Sequence, residues 1–281
     1  METQLEQIRE QQKQSWDKFS PGWKKWDTFN MAFLKPEGDE IIRCLNLRDT
    51  DVVLDVATGT GEPGLTIAAR VGSGKVVGTD LSEGMLAVAQ AKAAERGVLN
   101  YEARPADVCE LPFADASFDA ISCRMGFMFF PDMALAAREM YRVLKPGGRL
   151  AAAVWGPPEQ NPWVTTIMGA IANNMASPPP PPDAPGMFRC AAPGLLAGLF
   201  RQAGFGEVTE QAIAGKVAYG TAEVYWQMMN EVGAPIVAAM SKADEATQTI
   251  IKAQTFAGVS QQCPDGNVAL SYGALVLCGE K

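Results

Sequence analysis

The 281-residue sequence predicts an α/β fold: a doubly wound sheet of seven mostly parallel strands, the last antiparallel, with helices on both faces and helical lid segments. Three observations carry that expectation. Short β-branched and apolar runs alternate with helix-length segments between residues 52 and 156. The first run, Val52-Val53-Leu54-Asp55-Val56, leads straight into a glycine-rich turn, Ala57-Thr58-Gly59-Thr60-Gly61, of the kind a closely approaching ligand requires. Apolar residues at 133, 136, 137, 140, 143 and 144 fall on one face of a helix over 131–144.

The remaining elements follow in order. After the turn, Glu62 in a first helical turn and Pro63 at the first helical position open a helix that Leu65-Thr66-Ile67-Ala68-Ala69 continues. Lys75-Val76-Val77-Gly78-Thr79-Asp80 is a second strand, and Ser82 is the expected N-cap of the helix after it. Residues 100–104 form a third strand and 117–123 a fourth. Lys145-Pro146-Gly147-Gly148 stops the helix that precedes a fifth strand at 149–155. Helices are expected at 157–176 and 195–203, a sixth strand at 205–214, further helices across 221–257, and the antiparallel seventh strand at 267–278.

Two ligand classes compete for the turn. Gly59, Gly61 and Gly64 spell G-x-G-x-x-G, with Asp80 about 20 residues on, as in the dinucleotide fingerprint. A nicotinamide-dependent oxidoreductase is therefore the rival reading, but the proton donor it needs, a His or a Tyr/Lys pair, has no counterpart here. Glu62 and Asp55 would also put negative charge where a pyrophosphate should sit. Those carboxylates suit a phosphate-free ligand with a cationic group and a ribose, and S-adenosylmethionine is such a ligand. Asp80 is then the natural clamp for the ribose hydroxyls, and Leu81 or Met85 can lie against the adenine.

The ordered motifs D-V-A-T-G-T-G, T-D-L-S, A-D-V-C-E-L-P-F, F-D-A-I-S-C and L-K-P-G-G-R-L resemble those of the class I S-adenosylmethionine-dependent methyltransferases. The similarity is greatest to the ubiquinone/menaquinone C-methyltransferase branch and related small-molecule enzymes, and it spans residues 40–156. It implies a Rossmann-like methyltransferase sheet and methyl transfer to a small organic acceptor such as a quinol or phenol, at carbon or oxygen. Carried over, Asp55, Ala57, Thr58, Gly59, Thr60 and Gly61 hold the methionine end of the cofactor, and Ala57 stands where the family usually has glycine. Asp80 holds the ribose, and Asp107 with Val108 the adenine. Cys123 and Arg124, at the end of the fourth strand, belong to the cofactor's surroundings. A protein that binds S-adenosylmethionine without catalysis is the third reading.

The chain divides into an N-terminal helical lid (1–35), a cofactor-binding core (36–156), an insertion with a polyproline spacer (157–205) and a final part (206–281) that completes the sheet. The last part carries a helical substrate cap at 221–257. The lid is rich in aromatics, and Phe19 and Trp26 are expected near the sulfonium, where cation–π attraction operates. The run Met125-Gly126-Phe127-Met128-Phe129-Phe130 follows the fourth strand at the sheet edge where ligands bind, and so lines the acceptor's pocket.

A net charge of −8 without a basic cluster excludes nucleic acid as a partner. No run approaches the ~18 apolar residues of a membrane span. Six cysteines without a C-x-x-C pair read as reduced thiols of a cytoplasmic protein, and the composition leaves a homodimer open. No metal site is expected, since the chain has no histidine. The same lack removes the usual general base, which leaves Tyr219, Glu223 and Tyr225 as base candidates and Arg124 as a phenolate stabiliser.

Overall fold

In a computed structural model, which describes residues 4–175, 181 and 184–281, the first five strands are parallel: β1 (Val52–Val56), β2 (Lys75–Asp80), β3 (Tyr101–Pro105), β4 (Phe118–Arg124) and β5 (Leu144–Trp155). Two more strands, β6 (Gly206–Gly220) and β7 (Val268–Glu280), complete a seven-stranded sheet of order β3-β2-β1-β4-β5-β7-β6. β7 runs antiparallel to both β5 and β6. The strand order reverses between β1 and β4, and that is where a doubly wound sheet opens a crevice at the carboxyl ends of its strands.

Side-chain alternation along the strands builds one apolar layer on each face. Val53, Val76, Ala120 and Ala151 pack under α3 (Lys35–Leu45), α4 (Gly64–Arg70) and α5 (Glu83–Glu95). Their neighbours Leu54, Val77, Ile121 and Ala152 pack under α6 (Met133–Val143), α7 (Pro162–Asn174) and α8 (Leu195–Ala203). The inner strands β1, β2, β4 and β5 are apolar on both faces because helices cover both. Ser82 caps α5 by accepting from the Met85 N–H at 3.1 Å. α6 begins later than its apolar pattern, because Asp132 caps it by accepting from the Leu135 N–H at 2.8 Å.

Several boundaries differ from the sequence reading. β5 follows α6 directly at Leu144, so Lys145-Pro146-Gly147-Gly148 belongs to the strand. α4 starts at Gly64, with Pro63 as its N-cap and not its first residue. β6 continues to Gly220, and the following helical stretch divides into α9 (Ala222–Val232), α10 (Ala234–Met240) and α11 (Glu245–Gln262). The polyproline spacer at 177–182 lies, Pro181 apart, outside the described residues. Among the described residues no helix is long and apolar enough to cross a membrane.

The N-terminal segment forms α1 (Gln4–Lys25) and α2 (Asp27–Phe33) and lies across the crevice. α1 buries little of itself, Phe19 and Ser20 being its fully covered residues. Polar contacts fix it instead. Asp17 accepts from the Ser82 hydroxyl at 2.6 Å and from the Gly84 N–H at 3.0 Å, so it sits on the first turn of α5. At its other end, the Trp26 indole and Lys25 both donate to Glu231 of α9. Gly22 is where α1 meets α9 backbone to backbone: a Cβ there would stand 2.1 Å from the Glu231 carbonyl oxygen.

Gly22→Ala should therefore lift α1 off α9. We expect a loss of about 1–3 kcal/mol, typical of overpacking, with hydrogen exchange accelerated in α1 and unchanged in the strands. Unaltered exchange in α1 would show that the crossing tolerates a side chain.

Candidate cofactor and acceptor site

The loop after β1 is held from three sides. The Thr58 N–H donates to the Thr79 carbonyl at 2.9 Å and the Gly61 N–H to the Thr58 carbonyl at 2.8 Å. The Gly59 N–H donates to Asp80 Oδ2 at 2.9 Å. Asp55 is fully buried beneath the loop, where its carboxylate accepts from the Thr58 and Ser122 hydroxyls, both at 2.6 Å, and from the Gly64 N–H at 3.1 Å. Gly61 has φ +104°, a backbone conformation that essentially only glycine reaches. Ala57, with φ +54°, adopts the left-handed conformation despite its Cβ, which explains the family's preference for glycine at this position.

Burial raises the Asp55 carboxyl to about 6, against the hydrogen bonds of Ser122 and Thr58. Burial also raises Asp80, opposed by the N–H groups of Ser82, Gly59 and Leu81. Glu62 behaves differently: it accepts from the Thr66 N–H and hydroxyl of α4, and it pairs with Arg96. Its pKa is lowered even though burial acts in the opposite direction.

A cavity of about 670 Å³ runs from this loop to a chamber under the lid. Its first part is lined by Ala57, Thr58, Gly59, Thr60, Asp80, Leu81, Met85 and Val108, and Phe19 reaches it from α1. The chamber is apolar, with Met125, Phe129 and Phe130 from the segment after β4, Trp155 and Trp163 from the end of β5 and from α7, and Met228 and Met229 from α9. The other part of that run, Phe127 and Met128, is buried core. Arg124 lines the cavity as well. Its guanidinium donates to the Leu34 carbonyl at 3.1 Å and forms none of the salt bridges found among the described residues. Burial lowers its pKa, and Glu62, Asp55, Glu37 and Asp27 oppose that effect.

Several sequence assignments need correction. Asp55 does not line the cavity: both carboxylate oxygens are engaged below the loop, so it shapes the loop and does not reach a ligand. Asp107 also faces elsewhere, with Oδ2 paired to Arg9 of α1 at 2.9 Å and Oδ1 accepting from the Cys109 N–H. Gly61 packs on Leu65, and Cys123 is fully buried in the core. Trp26 turns to Glu231, while Trp16 and Trp23 are the lid tryptophans on the cavity. Of the four catalytic candidates only Arg124 is on the cavity: Tyr219 and Tyr225 pack against each other in the core and Glu223 is exposed. Sequence reasoning placed Asn30 and Met31 in the helical lid over 1–35 but missed them as wall residues, because it read that segment for its aromatic side chains alone.

The geometry also separates the two ligand classes. A dinucleotide loop presents free N–H groups to a pyrophosphate, whereas the N–H groups of Gly59, Gly61 and Gly64 already donate to Asp80, Thr58 and Asp55.

Sheet order, crevice and loop define a protein that binds a ligand at the topological switch point, and comparison with known proteins agrees. A family model described as a methyltransferase domain matches residues 53–148. The nocamycin O-methyltransferase of Saccharothrix syringae is 30% identical over 226 residues, covering 73% of this chain and 81% of that protein. A demethylmenaquinone methyltransferase of Thermus thermophilus is 45% identical over 106 residues, 38% of this chain. That match spans 48% of the relative's length. The crystal structure of the YcgJ protein of Bacillus subtilis has the same fold, with a TM-score of 0.60 at 20% identity, covering 88% of this chain and 98% of that one. The chain belongs to the class I S-adenosylmethionine-dependent methyltransferases.

α3 contributes Glu37, fully buried, with its carboxyl raised to about 7 by burial against the effects of its own N–H, Arg124 and Tyr272. The folded state therefore holds this proton more tightly than the unfolded chain, whose carboxyl titrates near 4.5. The group's contribution to stability falls as pH rises from about 4.5 to about 7 and is constant above. Glu37→Gln removes that loss. The melting temperature of the variant relative to the native protein should rise between pH 5 and pH 8, with a ceiling of about 3 kcal/mol. A pH-independent difference would show that Glu37 does not titrate in this range.

Proposed function

We propose that the protein transfers the methyl group of S-adenosylmethionine to a small, largely apolar organic acceptor enclosed beneath the N-terminal lid. One observation carries this reading: a single cavity joins the β1 loop and Asp80 to an aromatic and methionine-lined chamber. A ligand with one polar, hydroxyl-bearing end and one reactive end fits such a cavity with the reactive end toward the chamber. The two named relatives support the acceptor class, since their names give small organic molecules as substrates.

When bound, S-adenosylmethionine supplies an electrophilic methyl on a sulfonium. Asp80 takes the ribose hydroxyls: each carboxylate oxygen accepts one backbone N–H, from Gly59 and from Ser82, and keeps a lone pair for a hydroxyl. Val108, Leu81 and Met85, which line the same part of the cavity, would hold the adenine. Arg124 is the cation for the methionine carboxylate, and Ala57, Thr58 and Gly59 close around the amino acid end. The chamber excludes water and holds the acceptor in line with the methyl group, and positioning of that kind accounts for about 7–11 kcal/mol of barrier in favourable cases.

Asp80→Ala should weaken S-adenosylhomocysteine by the ~1.5–3 kcal/mol of a hydrogen bond to a charged group. Asp107→Ala, which breaks the partly exposed pair with Arg9, should have a much smaller effect. Calorimetric titration of both variants tests the assignment. Equal losses, or an Asp80→Ala protein that binds with native affinity, would reject it.

A further inference from the structure

Two residues that line the cavity carry buried N–H groups without an acceptor among the described residues. Asn30 of α2 is 1% exposed and its Nδ2 has no acceptor among the described residues. The indole Nε1 of Trp23 is in the same situation. Both residues line the cavity. Helical hydrogen bonding continues between them, from the Trp26 N–H to Gly22 O at 3.0 Å and from the Asn30 N–H to Trp26 O at 2.8 Å. Seven residues apart, they lie about two turns from each other on one face of the lid. A buried donor without a partner costs about 1–3 kcal/mol, and two of them on one ligand-facing wall point to oxygen atoms that arrive with the ligand.

Charge narrows the class further. The ionisable groups lining the cavity are Lys18, Glu62, Asp80 and Arg124. Both carboxylates already accept hydrogen bonds, Glu62 from Thr66 and Asp80 from Gly59 and Ser82. Met31, which faces Arg124 through its sulfur at 3.7 Å, adds no charge. Among the described residues the walls thus hold two donors without acceptors, Arg124 is assigned to the cofactor's carboxylate, and no lining carboxylate is free to take a proton from an acceptor.

We propose, resting on the methyl-transfer reading above, that the acceptor is a planar, mostly apolar acid, such as an enol conjugated to a carbonyl. It binds as its oxyanion, with its oxygen atoms against Asn30 Nδ2 and Trp23 Nε1, and is methylated on oxygen. An oxyanion lone pair forms the new O–CH₃ bond while the C–S bond breaks and its electron pair stays on sulfur. The acceptor enters already ionised, so no proton is released and no base is needed. Methylation at carbon would leave a proton on that carbon for a base to remove, and none lines the chamber.

The test uses the native chain saturated with S-adenosylhomocysteine and two probes of one skeleton: 4-hydroxycoumarin, ionised at neutral pH, and coumarin, which lacks the acidic hydroxyl. Binding of 4-hydroxycoumarin should be at least about tenfold tighter. Asn30→Leu and Trp23→Phe should each remove about tenfold of that affinity, leaving coumarin and S-adenosylhomocysteine within twofold. Neither variant should lower the melting temperature of the unliganded protein, because each deletes a donor that has no partner. Equal affinity for the two probes in the native protein would overturn the proposal, as would variants that leave 4-hydroxycoumarin unaffected or that lose S-adenosylhomocysteine. Should Asn30→Leu fail to fold, Asn30→Ser replaces it, and Trp23→Phe tests the second donor independently. A native protein that does not bind S-adenosylhomocysteine at all would instead refute the methyl-transfer reading itself.

Discussion

The carboxylate of Asp55 joins three elements at the point where the sheet changes direction. It reaches the β1 loop through Thr58, the first residue of α4 through Gly64, and β4 through Ser122. β1 and β4 are the strands between which the crevice opens, so this group sets the width of the crevice and the path of the loop. Its three donors are neutral, and burial raises its pKa to about 6. A charge left in such a place without those hydrogen bonds would cost several kcal/mol. The loop is therefore braced before any ligand arrives, and the backbone strain at Ala57, at positive φ, is held by these bonds.

This arrangement changes the physical reason for the ligand preference. Acids at 55 and 62 suggest a negative pocket for an ammonium group, yet Asp55 is sealed beneath the loop and Glu62 is bound to Thr66 and Arg96. What disfavours a pyrophosphate is the engagement of the loop N–H groups by Asp80, Thr58 and Asp55. The ligand class is the same and the cause is different. A sequence shows that a carboxylate is present. It does not show which donors have already claimed its oxygens.

Legibility followed burial. β1, β2 and β4 are apolar on both faces and bounded by turns, so their pattern is unambiguous, and Ser82 could be read as a cap because its hydroxyl has a local role. α3 was not legible: Lys35-Pro36-Glu37-Gly38-Asp39-Glu40 looks like a charged loop, and only packing of Ile41, Ile42 and Leu45 against the sheet makes it a helix. In the lid, Trp16, Trp23 and Trp26 are alike in sequence. Which of them faces the cavity depends on Glu231, about 200 residues away, which captures the Trp26 indole. The same limit applies to Tyr219 and Tyr225, where two polar aromatics suggested a base. Each is buried against the other, with its hydroxyl raised above the ordinary tyrosine value by burial.

The lid and its chamber show how stability and ligand selection are coupled. α1 docks through exposed or half-exposed polar pairs such as Arg9–Asp107 and Lys25–Glu231, which contribute little each and open readily. Unpaired donors at Trp23 and Asn30 weaken the closed state further while the chamber holds no oxygen ligand. On the proposed reading, an anionic acceptor removes both deficits at once, whereas a neutral hydrocarbon of equal size removes neither. Closure over the cofactor is thus selective in itself, because the free energy that seals the chamber comes partly from the acceptor's own charge. An enzyme built this way needs no base. On the proposed reading, ionisation of the acceptor in solution both favours the closed lid and readies the nucleophile.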